Sequence, residues 1–133
     1  MSHWISYKND ILKNTRINML EKALKEMGLE LDCSIKSIRN AYGHETVNMG
    51  IRKNGELVSL GFKEVKNNND TFLELHGDFF NTGINQQDFM DTLSQYYTKN
   101  DIVDKIENNT SYDIESIETN EKGEFEILAY QYV

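Results

Sequence analysis

Two alternating apolar runs, Val47-Met49-Ile51 and Val58-Leu60-Phe62, flank the dipeptide Asn54-Gly55. Such alternation is the period of a half-buried strand. Asn-Gly accepts positive φ at both central positions of a two-residue turn, the turn whose twist matches the strands it joins. The segment therefore predicts an antiparallel hairpin around which the rest of the chain is built. Asn67-Asn68-Asn69-Asp70 predicts a second turn, and Phe72 to Phe80 a third strand with Leu73 and Leu75 on one face. The chain has no proline, so its turns fall to Asn, Asp and Gly.

Upstream, Leu31, Cys33 and Ile35 alternate with Asp32, Ser34 and Lys36. This pattern predicts a strand with Cys33 on its apolar side, where a thiol behaves as a small hydrophobe. Ala41 to Glu45 breaks the pattern and reads as a loop. Two segments carry helical spacing instead. Ile17, Leu20, Leu24 and Met27 form one stripe, closed by Gly28. Asn85 is placed to cap the second helix, with Asp88 in its first turn and Ile84 stapling onto Phe89. The stripe of that helix is Phe89, Leu93, Tyr96, Val103 and Ile106, flanked by Tyr97, with Asn100-Asp101 marking an interruption. Ser2 to Lys8 reads as a first strand or arm, Ile114 and Ile117 mark a late strand, and Phe125 to Val133 forms the last.

The expected fold is a single α+β domain over residues 1–133. Its order is strand, helix, four strands, helix, two strands. The sheet is mostly antiparallel, and both helices pack on one face to give two layers. A length of 133 residues suffices for one core without disulfides.

Charge bounds the partners. With 14 basic against 22 acidic residues the net charge is −8, and no basic stripe is present. Nucleic-acid binding draws its affinity from cationic side chains on phosphates, so no nucleic-acid partner is expected. A lone cysteine, Cys33, fits a reducing compartment. The first residues lack a basic segment followed by an apolar run, and no stretch is long enough to span a bilayer. A cytoplasmic location without membrane association is expected.

Several segments together resemble a known family. They are Met1-Ser2-His3-Trp4, Lys22-Ala23-Leu24 with Gly28, Leu60-Gly61-Phe62, Leu75-His76-Gly77-Asp78-Phe79-Phe80, Gly83 to Phe89, and Leu93-Ser94-Gln95-Tyr96-Tyr97. The family carries the hypothetical chloroplast reading-frame (Ycf-type) label and a description as a domain of unknown function. Its members occur in plastid genomes, cyanobacteria, other bacteria and phages. The chain departs from it at Phe79 and Phe80, where tryptophans are frequent, and at Ser59, where an aspartate is frequent. The resemblance implies no reaction. It implies an accessory role alongside AAA-type ATPases.

The residues themselves offer little chemistry. No glycine-rich phosphate loop opens a helix. The three histidines, His3, His44 and His76, have no metal-type spacing, so neither metal nor cofactor is expected. Glu74, His76 and Asp78 alternate along one strand and share a face, which is the one arrangement suited to acid–base work. The plainer reading is a solvated strand face. His3 and Trp4 are unusual so close to the start of the chain, and the doubled aromatics Phe79 and Phe80 place one ring on each face. His3, Trp4, His76, Asp78, Phe79 and Phe80 are therefore the candidate ligand- or partner-binding residues, and no catalytic residue is assigned. The expected function is that of a small accessory or adaptor protein acting through a protein partner, with homo-oligomerisation open. The alternatives are a protein that binds or sequesters a small nucleotide-like ligand, and an enzyme using His76 and Asp78.

Overall fold

The computed structural model describes residues 4–7, 12–40, 43–79, 82–109, 111–122 and 124–131. The chain runs through strand β1 (Trp4–Tyr7), helix α1 (Ile17–Glu26), β2 (Leu29–Asp32), β3 (Ser37–Asn40), β4 (Gly43–Thr46), β5 (Met49–Lys53), β6 (Glu56–Asn67) and β7 (Asp70–Asp78). Helix α2 (Gln86–Glu107), β8 (Tyr112–Thr119) and β9 (Phe125–Gln131) follow. The main sheet has the order β1-β7-β6-β5-β2, with every pairing antiparallel. The Asn-Gly hairpin is present as expected: Asn54 and Gly55 take φ of 54° and 81° and join β5 to β6.

Both helices pack on one face of this sheet, which makes the fold α+β. Leu60 and Phe62 of β6, Leu73 and Leu75 of β7, and Met49 and Ile51 of β5 meet Leu20 and Leu24 of α1 and Phe89 and Leu93 of α2 in one cluster. The buried side of α1 is Met19, Leu20, Ala23 and Leu24, while Ile17 is exposed. The stripe is thus rotated from the one expected. It begins after Arg16, whose guanidinium is committed to Asp101 and Asp104 of α2 and whose backbone N–H donates to the Tyr97 hydroxyl. That bond explains why Tyr97 belongs to the core, while Tyr96 packs half-buried against the last strand. The Asn85 side chain accepts from the Asp88 N–H at 3.1 Å, capping α2 as anticipated, and the helix continues through Asn100 and Asp101 without interruption.

Among the described residues six strands, rather than the expected four, separate the helices. Strand β2 ends at Asp32 because its carboxylate takes the chain over. It accepts from the Ser34 N–H at 2.9 Å and from the Ser34 hydroxyl, closing a turn that leaves Cys33 exposed instead of buried. The chain then leaves the sheet in the β3–β4 hairpin, whose second strand takes in Gly43 to Glu45 of the segment expected to be a loop; Ala41 and Tyr42 lie outside the described residues.

Asp32 also accepts from Arg52 Nε at 2.8 Å. The Ser34 hydroxyl, then Arg52, hold its carboxyl at about 2, below the usual carboxylate value. A depressed carboxyl stabilises the fold while it is charged, and that stabilisation is lost as pH falls from the usual value towards about 2. The wild-type melting temperature is therefore expected to drop more steeply between pH 4 and pH 2 than that of Asp32→Asn. Parallel melting curves across that window would exclude this role for Asp32.

Candidate functional site

The face of the sheet opposite the helices is shaped by an absence of side chains. Register places Gly50 of β5 opposite Gly61 of β6, and Gly61 opposite His76 of β7. A Cβ on Gly50 would sit 2.6 Å from Ile35 Cγ2. One on Gly61 would sit 2.7 Å from the Met49 carbonyl oxygen and 3.1 Å from Val47 Cγ1. The two glycines form the seat on which Ile35 and Val47, at the two ends of the β3–β4 hairpin, come down. Ile38 and Val47 are fully buried there, apart from the cluster under the helices.

This hairpin brings Glu45 over the strand row and onto His76. Nδ1 of His76 lies 2.9 Å from Glu45 Oε1, and Nε2 lies 3.1 Å from Glu74 Oε1. Lys63 Nζ reaches the same Glu45 oxygen at 3.1 Å. The imidazole is only 12% exposed. Two carboxylates, one ammonium and one imidazole thus meet under the hairpin. The arrangement clamps the hairpin to the sheet, since lifting the hairpin would take Glu45 from both Lys63 and the largely buried ring of His76.

The expected site residues fall into three groups. His76 and Asp78 share one face with Glu74; Asp78 is buried and His76 and Glu74 are half-buried, so this strand face is largely covered rather than open to solvent. The backbone of Trp4 pairs with Asp78 in register. Phe79 turns away from them and meets Phe89 of α2 edge-on, with centroids 5.6 Å apart. His3 and Phe80 lie outside the described residues. Among the described residues no group of three or more His, Cys, Asp or Glu is placed to hold a metal ion. Glu45 and Lys63 were not singled out from the sequence. They reach His76 through a hairpin crossing that leaves no local spacing to read.

A second feature lies at the C-terminal hairpin. β8 and β9 pair only with each other among the described residues, and they lean on α2. Phe125 packs edge-on against Tyr96 at 5.3 Å, and the Lys99 ammonium sits 5.3 Å from the Phe125 centroid while pairing with Glu26 of α1 at 2.6 Å. Phe125, Ile127 and Ala129 alternate on the inner, half-buried side. Leu128 and Tyr130 alternate on the outer side, exposed at 54% and 57%. The same outer side carries Asp113, opposite Tyr130, and Glu118, opposite Glu126. At the irregularity between Ile114 and Ser116, the Glu115 carboxylate accepts the Tyr130 hydroxyl at 2.8 Å. That bond, with some burial, pushes the phenol upward from its ordinary value. It also fixes the exposed ring in place.

Among the described residues no helix is long and apolar enough to cross a membrane. No curated protein and no solved structure matches the chain. A family does match, over residues 23–128, which reach from α1 into β9 and so take in the glycine seat, the His76 clamp and most of the C-terminal hairpin. The chain belongs to that family, described as Protein of unknown function (DUF1257).

Proposed function

We propose that this chain is a small accessory protein that works by holding another protein on the outer side of its C-terminal hairpin. The observation that carries the reading is the exposure of Leu128 and Tyr130, side by side on β9. Single exposed apolar residues are ordinary, but adjacent ones on a surface fixed by packing mark a place where a partner removes them from water. The hairpin is held ready by Phe125, Tyr96 and Lys99, so little ordering is required on binding.

The same proposal gives the chain no reaction of its own. The support is the use made of His76, whose two ring nitrogens both face carboxylates beneath the β3–β4 hairpin. An AAA-type ATPase, the partner class that the family resemblance implies, is the first to test. The test is capture from the native host with wild type and with Leu128→Ser/Tyr130→Ser, matched for melting temperature. A partner held by the wild type and lost by the double variant is the expected result. Identical captured sets from two folded proteins would refute the reading.

A further inference from the structure

The partner's chemistry can be read from the charges around Leu128 and Tyr130. Glu118 and Glu126 stand directly opposite each other across the β8–β9 pair, both exposed and both on the outer side. Like charges directly opposite on a sheet face destabilise the pair of strands. Nothing cationic relieves this one among the described ion pairs; the nearest described help to Glu126 is a hydrogen bond from the Asn120 side-chain amide at 3.4 Å. Asp113 adds a further carboxylate to the same face. From Ser111 to Gln131 the chain holds six carboxylates and one lysine, Lys122, so most of the net charge of −8 resides here.

Resting on the reading above, we infer that the outer face of this hairpin takes a lysine- or arginine-bearing polypeptide segment. An apolar residue of the segment covers Leu128 and Tyr130, and a cationic residue beside it enters between Glu118 and Glu126. A second copy of this chain does not fit, because it would bring the same carboxylates onto their own kind. A basic segment gains twice: it neutralises a cross-strand repulsion present in the free chain, and it covers apolar surface that is otherwise wet.

The experiment uses the full chain and three synthetic ten-residue peptides, alternating Lys/Val, Glu/Val and Lys/Ser, followed by amide chemical-shift mapping. The Lys/Val peptide is expected to shift residues 113–130. It should bind about tenfold tighter than Lys/Ser, the worth of a lost apolar anchor. Glu/Val should produce no shifts. Glu118→Lys supplies the missing cation internally, so this variant should melt no lower than wild type yet bind Lys/Val about tenfold more weakly, the size expected when a favourable charge contact becomes a repulsive one. Equal binding of Glu/Val and Lys/Val, shifts centred elsewhere, or unchanged binding by Glu118→Lys would each overturn the inference. The two ideas fail separately. If capture of the native partner needs Leu128 and Tyr130 but ignores Glu118→Lys, the basic partner is wrong and the docking face stands. If capture ignores Leu128 and Tyr130, both fall.

Discussion

Gly77→Ala is expected to unfold the protein or nearly so. Gly77 has φ of +149°, and a Cβ there would lie 2.1 Å from the Ser59 carbonyl oxygen and 2.8 Å from Leu60 Cα. Neither of these backbone atoms is the free end of a side chain, so β6 and β7 would have to separate where Leu60 pairs with Gly77. Backbone strain of about 1–3 kcal/mol adds to a similar penalty for overpacking. A loss of about 3–5 kcal/mol is therefore expected, a large part of a typical domain's stability. Gly55→Ala separates the two causes, because Gly55 has φ of +81° with nothing within 4 Å of its would-be Cβ. It should lose only about 1 kcal/mol in urea unfolding. A Gly77→Ala midpoint as high as that of Gly55→Ala would show that the close approach to Ser59 is not real.

Gly61→Val has the second largest expected effect and acts on the opposite face. Its Cβ would stand 2.7 Å from the Met49 carbonyl oxygen, and its methyl groups would take the place now held by Val47. The β3–β4 hairpin would have to rise from its seat, parting Glu45 from His76 and Lys63. A loss of about 2–3 kcal/mol is expected from the overpacking. Amide protons of residues 37–46 should lose exchange protection more than those of β6 and β7. Retained protection in that hairpin with unchanged stability would mean that it does not rest on the glycines.

The meander was legible because its signals are local. Alternation in Val58-Leu60-Phe62 and the Asn-Gly turn report directly on neighbouring residues, and so does the Asn85 cap of α2. The β3–β4 hairpin was not legible for the opposite reason. Ser37 to Asn40 holds one buried apolar residue, Ile38, and the hairpin's position depends on Gly50 and Gly61. A glycine in a strand signals close approach, but the sequence does not say of what. Cys33 was misplaced because strand alternation was carried across Asp32, whose carboxylate in fact closes a turn onto Ser34.

The same contrast holds for the candidate surfaces. His76 and Asp78 were placed on one face by strand period alone, and that placement is correct. The cover over that face, with Glu45 in it, comes from 31 positions earlier in the chain and could not be read locally. The C-terminal hairpin does carry a local signal. From Phe125 to Tyr130 the strand carries large apolar residues at odd positions facing α2, and again at Leu128 and Tyr130 on the charged side. A two-stranded hairpin has only one face to bury against a helix, so apolar residues on both faces imply a surface awaiting cover.

On the proposed function the outer side of β8–β9 meets the partner, while the face bearing His76 lies under the β3–β4 hairpin. Hydrogen exchange of the chain with and without its captured partner tests it most directly. Added protection confined to residues 112–131 is the predicted result. Protection appearing at residues 37–46 and around His76, with 112–131 unchanged, would contradict it.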